Sequence, residues 1–217
     1  MKTFRLLFSD DMARAIVSGR KTVTRRPVMP FRIGDGVDVA RIDGRTAYLG
    51  NDDDGDIFVM PPPCAPGDIL IGRECWGWAS WYDGANREGV EYRADGARVA
   101  MERGDDPDIR AGWRPSIHMP DWAARIRRRV VSVTVERVQD ITEEDARREG
   151  VEMDDDGEWI GGHHKSGGVI ICESARDAFW ALWNGIYSAK GLGWRTNPFV
   201  WRIEFERENV QEVSHGR

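Results

Sequence analysis

The spacing of apolar residues changes several times along the chain, and each change marks an element. "TFRLLFS", residues 3–9, reads as a first strand. From Asp10 to Ser18, Met12, Ala13, Ile16 and Val17 recur at helical spacing. Ser9 stands at the cap, Asp10 and Asp11 face the positive end of the dipole, and Gly19 closes the helix. "GDGVDVARIDGRTAYLG" reads as a hairpin, two β-prone runs joined at Asp-Gly. "PGDILIGRECW" predicts a strong strand through Ile69, Leu70 and Ile71. In "RVVSVTVERVQDI", Val131, Val133 and Val135 alternate with Ser132, Thr134 and Glu136, the period of a half-buried strand. "ITEEDARREG" then predicts a helix of about two turns. Thr142 caps it, Asp145 sits at the capping-box position, Ile141 and Ala146 occupy the staple positions, and Gly150 ends it.

"ESARDAFWALWNGIY" is the strongest helix signal. Ser174 caps it, and Ala175, Ala178, Phe179, Leu182 and Ile186 fall on one predicted face. "NPFVWRIEFER" closes as a strand with Phe199, Trp201, Ile203 and Phe205 inward. Two stretches lack a clear period: residues 77–112, rich in Gly, Asp, Arg and Trp, and the polar, Gly-rich residues 152–172. Both read as insertions over the surface. Between them "GWRPSIHMPDWAARI" is a Pro-bounded turn with a short helix. No β-α-β unit repeats, and GxGxxG and GxxxxGK[ST] are absent, which argues against a dinucleotide or P-loop fold. The expectation is one α+β domain over residues 1–217. It is a small, mostly antiparallel β-barrel with flanking helices at its openings and two polar insertions.

Composition narrows the function classes. The chain has 217 residues, 41% hydrophobic and 31% charged, the balance of a soluble globular protein. No run approaches the roughly 18 apolar residues of a membrane span, so no membrane partner is expected. The apolar run at the N-terminus is too short for a signal peptide, and a cytoplasmic location is expected. Cys64, Cys75 and Cys172 are odd in number and none has CxxC spacing, against a disulfide framework or a zinc site. "GGHHKSGG", with His163 and His164, reads as a surface loop, and neither metal nor other cofactor is expected. The net charge of -6 speaks against coating long nucleic acid and for a small substrate or a short nucleotide.

One segment runs against that charge. "SGRKTVTRRP" gathers Arg20, Lys21, Arg25 and Arg26 around Thr22 and Thr24, either as a solvated loop or as a pocket for a polar or anionic ligand. Glu74 follows an apolar strand run and either contacts a ligand or pairs with an arginine. Trp76, Trp78 and Trp81 follow in a polar setting, where they stack on a base or pack in the core.

Together, "SGRKTVTRR", "PGDILIGRECW", "VERVQDITEEDARREGV" and "FWALWNGIY…NPFVWRIEFE" resemble an ASCH domain, a small barrel related to the PUA fold. With "WRPSIHMPDWAARI" the chain is similar to the longer phage and prophage form. The resemblance implies a PUA-like barrel and a nucleic-acid-related ligand. Some compact bacterial members are amidohydrolases that remove acetyl from N4-acetylcytidine. Their lysine, threonine and glutamate fall on Lys21, Thr24 and Glu149, and the signature arginine on Arg26. Those members are about half this length, and the insertions bear on which substrate fits. The implied partner is a small modified nucleoside, with RNA as a second class; base binding without turnover and RNA cleavage are the alternative activities.

Amide hydrolysis needs an activated nucleophile, oxyanion donors and an acid for the leaving amine. Lys21 and Thr24, three apart, project to one side if the segment is a turn or helical start. Burial beside cations would lower the lysine pKa, so that it deprotonates Thr24 or water; kept charged, it would stabilise the oxyanion. Glu149 either protonates the departing amine or activates water. A carboxylate at a helix C-terminal end opposes the dipole, a local violation of the kind found at sites. Arg20 and Arg25 are left as solvated or paired cations.

Overall fold

A computed structural model describes residues 1–28, 39–43, 46–50, 57–101, 112–163 and 168–208. β1 (Thr3–Leu7) leads into α1 (Asp10–Ser18), where Ser9 Oγ accepts the Met12 N–H and Gly19, at φ 87°, turns the chain out. The basic stretch then extends as β2 (Val23–Pro27). β3 (Val39–Asp43), β4 (Thr46–Gly50) and β5 (Ile57–Met60) pair antiparallel; the predicted Asp-Gly turn of the first pair includes Gly44, outside the described residues.

β6 (Ile69–Arg73) enters the central sheet. β7 (Trp76–Tyr82), β8 (Asn86–Tyr92), β9 (Arg98–Ala100) and β10 (Gly112–Arg114) form a second antiparallel sheet in the order β10-β7-β8-β9. The region predicted as an aperiodic excursion is therefore ordered sheet, apart from residues 102–111, which lie outside the described set. Its glycines concealed the period. A Cβ on Gly77 would stand 2.8 Å from the Gly112 carbonyl oxygen, so the position accepts no side chain, while Trp76 and Trp78 bury the opposite face. The Pro-bounded segment forms two single 3₁₀ turns, Ser116–His118 and Asp121–Ala123.

β11 (Ile126–Arg137) and the final strand, Phe199–Arg207, dominate the central sheet. Between them come α2 (Glu143–Arg148), β12 (Glu152–Met153), β13 (Trp159–His163), β14 (Val169–Cys172) and α3 (Ala175–Tyr187); the final strand is β15. The second predicted insertion is likewise a small antiparallel sheet, β12-β13-β14. α3 is capped by Ser174 as predicted, but its buried face is Ala175, Ala178, Phe179, Trp183 and Tyr187, with Ile186 exposed. The two large rings displace Leu182 and Ile186 because burying an aromatic removes more apolar area from water.

The central sheet runs β1-β6-β11-β15-β2. β1 pairs parallel with β6; the other neighbours are antiparallel. The protein is thus α+β, mostly strands with three helices, in mixed and antiparallel sheets, and among the described residues the sheets do not close into a barrel. The valine alternation of β11 breaks at a register shift between Val130 and Ser132. Val130 and Val133 are buried, whereas Val131 is 44% exposed, because a bulge turns one residue out of phase. Phe199, Trp201, Ile203 and Phe205 all face inward as predicted. Among the described residues, no helix is long and apolar enough to cross a membrane.

Candidate functional site

Three elements converge on Lys21. Its N–H donates to Ala15 O (2.9 Å) at the end of α1, and the next N–H, of Thr22, donates to Arg148 O (2.9 Å) at the end of α2. The Thr22 carbonyl accepts from Phe205 N–H of β15 (2.9 Å). α2 is closed by Gly150 at φ 89°, where a Cβ would stand 2.8 Å from the Cβ atoms of both Ala15 and Lys21. With no side chain at 150, the α2 exit presses against Lys21 and brings Glu149 to it.

The Lys21 side chain is fully buried and that of Glu149 nearly so. Lys21 Nζ donates to Glu149 Oε2 at 2.5 Å and to the Glu149 carbonyl oxygen at 2.7 Å, joining positions 128 residues apart. Burial pushes the Lys21 pKa below the ordinary lysine value. The Glu149 charge opposes that shift, and Arg26 and Arg25 add to it. The direction matches the expectation, but desolvation rather than neighbouring cations is its leading cause.

Arg25, expected to be either solvated or paired with carboxylates, is paired: it is buried and reaches three of them. Nη1 meets Glu149 Oε1 at 3.2 Å, Nε meets Glu136 Oε1 at 2.7 Å, and Nη2 meets Asp145 Oδ2 at 2.6 Å. Asp145 also receives Arg202 Nε (2.6 Å) and Nη2 (3.0 Å). The Arg202 and Arg25 guanidinia hold its carboxyl well below the usual aspartate range. Thr142 Oγ1 accepts the Asp145 N–H as predicted, but the Asp145 carboxylate turns to the sheet instead of completing a capping box. Glu204 extends the network, paired to Arg148 and, at 3.2 Å, to Arg202.

Strand geometry separates Thr24 from this group. Arg25 lies in register with Arg202, and both reach Asp145, so that face of β2 looks toward α2. Thr24 lies in register with Ile203 and therefore faces the opposite, apolar side. Thr24 is buried, and among the described residues no hydrogen bond joins its hydroxyl to Lys21 or Glu149. The expected common side for Lys21 and Thr24 required a turn; an extended chain sends these positions apart.

The other candidates are held within the fold. Arg26 Nη2 donates to Leu7 O (2.8 Å), Nη1 to Tyr187 Oη (3.4 Å), and the guanidinium lies 5.1 Å from the Phe8 ring centroid. Glu74 is wholly buried and takes a two-point grip from Arg125, 2.8 and 2.9 Å, which also binds Asp95 at 2.9 Å. Burial pushes the Glu74 pKa up, and Arg125 opposes it. Trp76 is buried between β7 and β6, edge-on to Trp122 at 5.8 Å. Glu74 and Trp76 thus belong to a second cluster, with no contact to Lys21 or Glu149 among the described residues. The residues missed are Arg25, Asp145 and Arg202; the only sequence signal was Val23 and Arg25 sharing one side of a β-prone run.

A cavity of about 50 Å³ opens beside the pair, lined by Glu149, Gly150, Ile160 and Leu182 with the first turn of α1. Glu149 is among its lining residues and Lys21 is not. Among the described residues, no group of three or more His, Cys, Asp or Glu side chains is placed to hold a metal. No family model, curated protein or solved structure matches the chain.

Proposed function

We propose that the protein is an amidohydrolase that removes an acyl group from the N4 amine of a modified cytosine nucleoside. The observation that carries this reading is the buried 2.5 Å contact between Lys21 and Glu149, with Glu149 lining a cavity. A lysine with a depressed pKa against a carboxylate forms a pair able to hold one mobile proton. In the proposed reaction that pair takes a proton from the attacking water as its oxygen bonds to the acyl carbon. The C–N4 bond then breaks and the proton passes to the departing amine, leaving cytidine and the carboxylate product. Arg25 on Oε1 fixes the rotation of the Glu149 carboxylate. Thr24 would enter the site only if substrate drew it there.

The resemblance to an ASCH domain supports the same substrate class. In this reading, the five-stranded sheet between edge strands β1 and β2 is the core of a PUA-like barrel of the long phage type. Modified-base or RNA binding without turnover is favoured by a different observation: Thr24, a member of the expected catalytic set, faces away from Lys21 and Glu149. Incubation with N4-acetylcytidine separates the two. The amidohydrolase reading expects cytidine and acetate, and none with Lys21→Ala. Binding without product supports the module instead.

A further inference from the structure

A second, larger cavity of about 690 Å³ lies outside the Lys21–Glu149 contact and shares Val151 and Glu152 with the small one. The outer end of α1 forms its floor, and the two segments predicted as insertions form its walls: Asp95 from the turn after β8, and Met153 and Trp159 from β12 and β13. Its volume lies within the range of small-ligand sites. Three guanidinia line it, those of Arg14, Arg20 and Arg147, each two-fifths or more exposed.

Two of those cations, Arg20 and Arg147, are loosely committed. Arg20 stands 3.7 Å from Glu152, and Arg147 stands 3.5 Å from Glu143. Such exposed pairs contribute little and exchange readily. Arg14 pairs with Asp11 and donates to Ala94 O at 2.7 Å. Arg147 is held over the Trp159 ring at 5.4 Å, which fixes its direction without using its donors. Of the two carboxylates in the lining, Asp95 is paired with Arg125, which lies outside the cavity and also holds Glu74. The cavity thus brings three arginines, two of them in long, exposed pairs, to an apolar wall of Trp159, Met153 and Val151, on a chain of net charge -6.

We infer that this cavity takes the sugar and 5′-phosphate of a nucleoside monophosphate. The phosphate dianion replaces the weak carboxylate partners of Arg20 and Arg147, and the sugar rests on the apolar wall. A phosphate offers these guanidinia paired, charge-assisted hydrogen bonds, stronger than the contacts it displaces. The inference rests on the proposed nucleoside substrate and extends it: the preferred form is the free mononucleotide, because a chain of net charge -6 suits a short nucleotide better than a long strand.

Binding is measured by calorimetry on the full chain with cytidine 5′-monophosphate, cytidine and a single-stranded RNA hexamer. The mononucleotide is expected to bind about tenfold or more tightly than cytidine. In Arg20→Ala/Arg147→Ala, two exposed changes that leave the core intact, that difference is expected to collapse. Equal affinity for cytidine and its monophosphate overturns the inference, and so does tighter binding of the hexamer. A phosphate preference without any deacylation supports the groove and removes the amidohydrolase reading. Deacylation of the nucleoside with no phosphate preference does the reverse.

Discussion

Lys21 carries its charge with no exposed surface, so what happens to it depends on Glu149. Removing the ammonium alone leaves a buried carboxylate with only Arg25 nearby. Lys21→Met is expected to lower stability by about 3 kcal/mol, the lower end for breaking a buried pair because Arg25 stays at 3.2 Å. Urea denaturation checks it, and adding Glu149→Gln should restore part of the loss. Gly150→Ala tests the same contact through the backbone. A φ of 89° and a Cβ 2.8 Å from Ala15 and Lys21 predict a loss of about 2 kcal/mol, read by thermal melting, with the pair displaced. At this scale the sequence was readable in part. Lys21 and Glu149 came from the resemblance, and the structure brings them together. Arg25 was not foreseen, because a buried cation is recognised only by its partners, and these come from Glu136, Asp145 and Glu149, more than a hundred residues on.

α2 is two turns long and is locked to the sheet mainly through Asp145, held by Arg25 and Arg202. The Asp145 carboxyl titrates lower in the folded chain than its ordinary value of 3.8, so the unfolded chain binds the extra proton first as pH falls. Its contribution is present above that value and is lost below it. Asp145→Asn is expected to reduce stability at neutral pH and to flatten the acid limb of a stability–pH curve; an unchanged acid limb would show that Asp145 is not the latch. Elements with caps at both ends were the legible ones: α1 and α2 have the predicted boundaries, and Ser174 starts α3. The two small sheets were not legible, since their glycines, packed against backbone at Gly77 and Gly89 and against side chains at Gly161, look the same in sequence as the glycines of a loop.

Across the molecule the buried apolar clusters all draw on the central sheet. One contains Val130, Val133 and Ile203, a second Ile69 and Ile71, a third Val200, and a fourth Leu70, Ile126 and Phe205. Each of β6, β11 and β15 feeds two or more of these clusters, which predicts one cooperative transition: near- and far-ultraviolet circular dichroism should give coincident melting curves. Strand order was beyond the sequence, because β1 and β6 meet in parallel across sixty-odd residues with no turn to announce it. The central claim is that this sheet and α2 assemble Lys21 and Glu149 into a proton-handling pair for amide hydrolysis. The most direct measurement is release of cytidine from N4-acetylcytidine by the intact chain, beside Lys21→Ala and Glu149→Gln proteins shown to be folded by circular dichroism. The account predicts turnover by the parent chain and loss of about a hundredfold or more in each variant. No cytidine from the parent chain, or undiminished release by a folded variant, would contradict it.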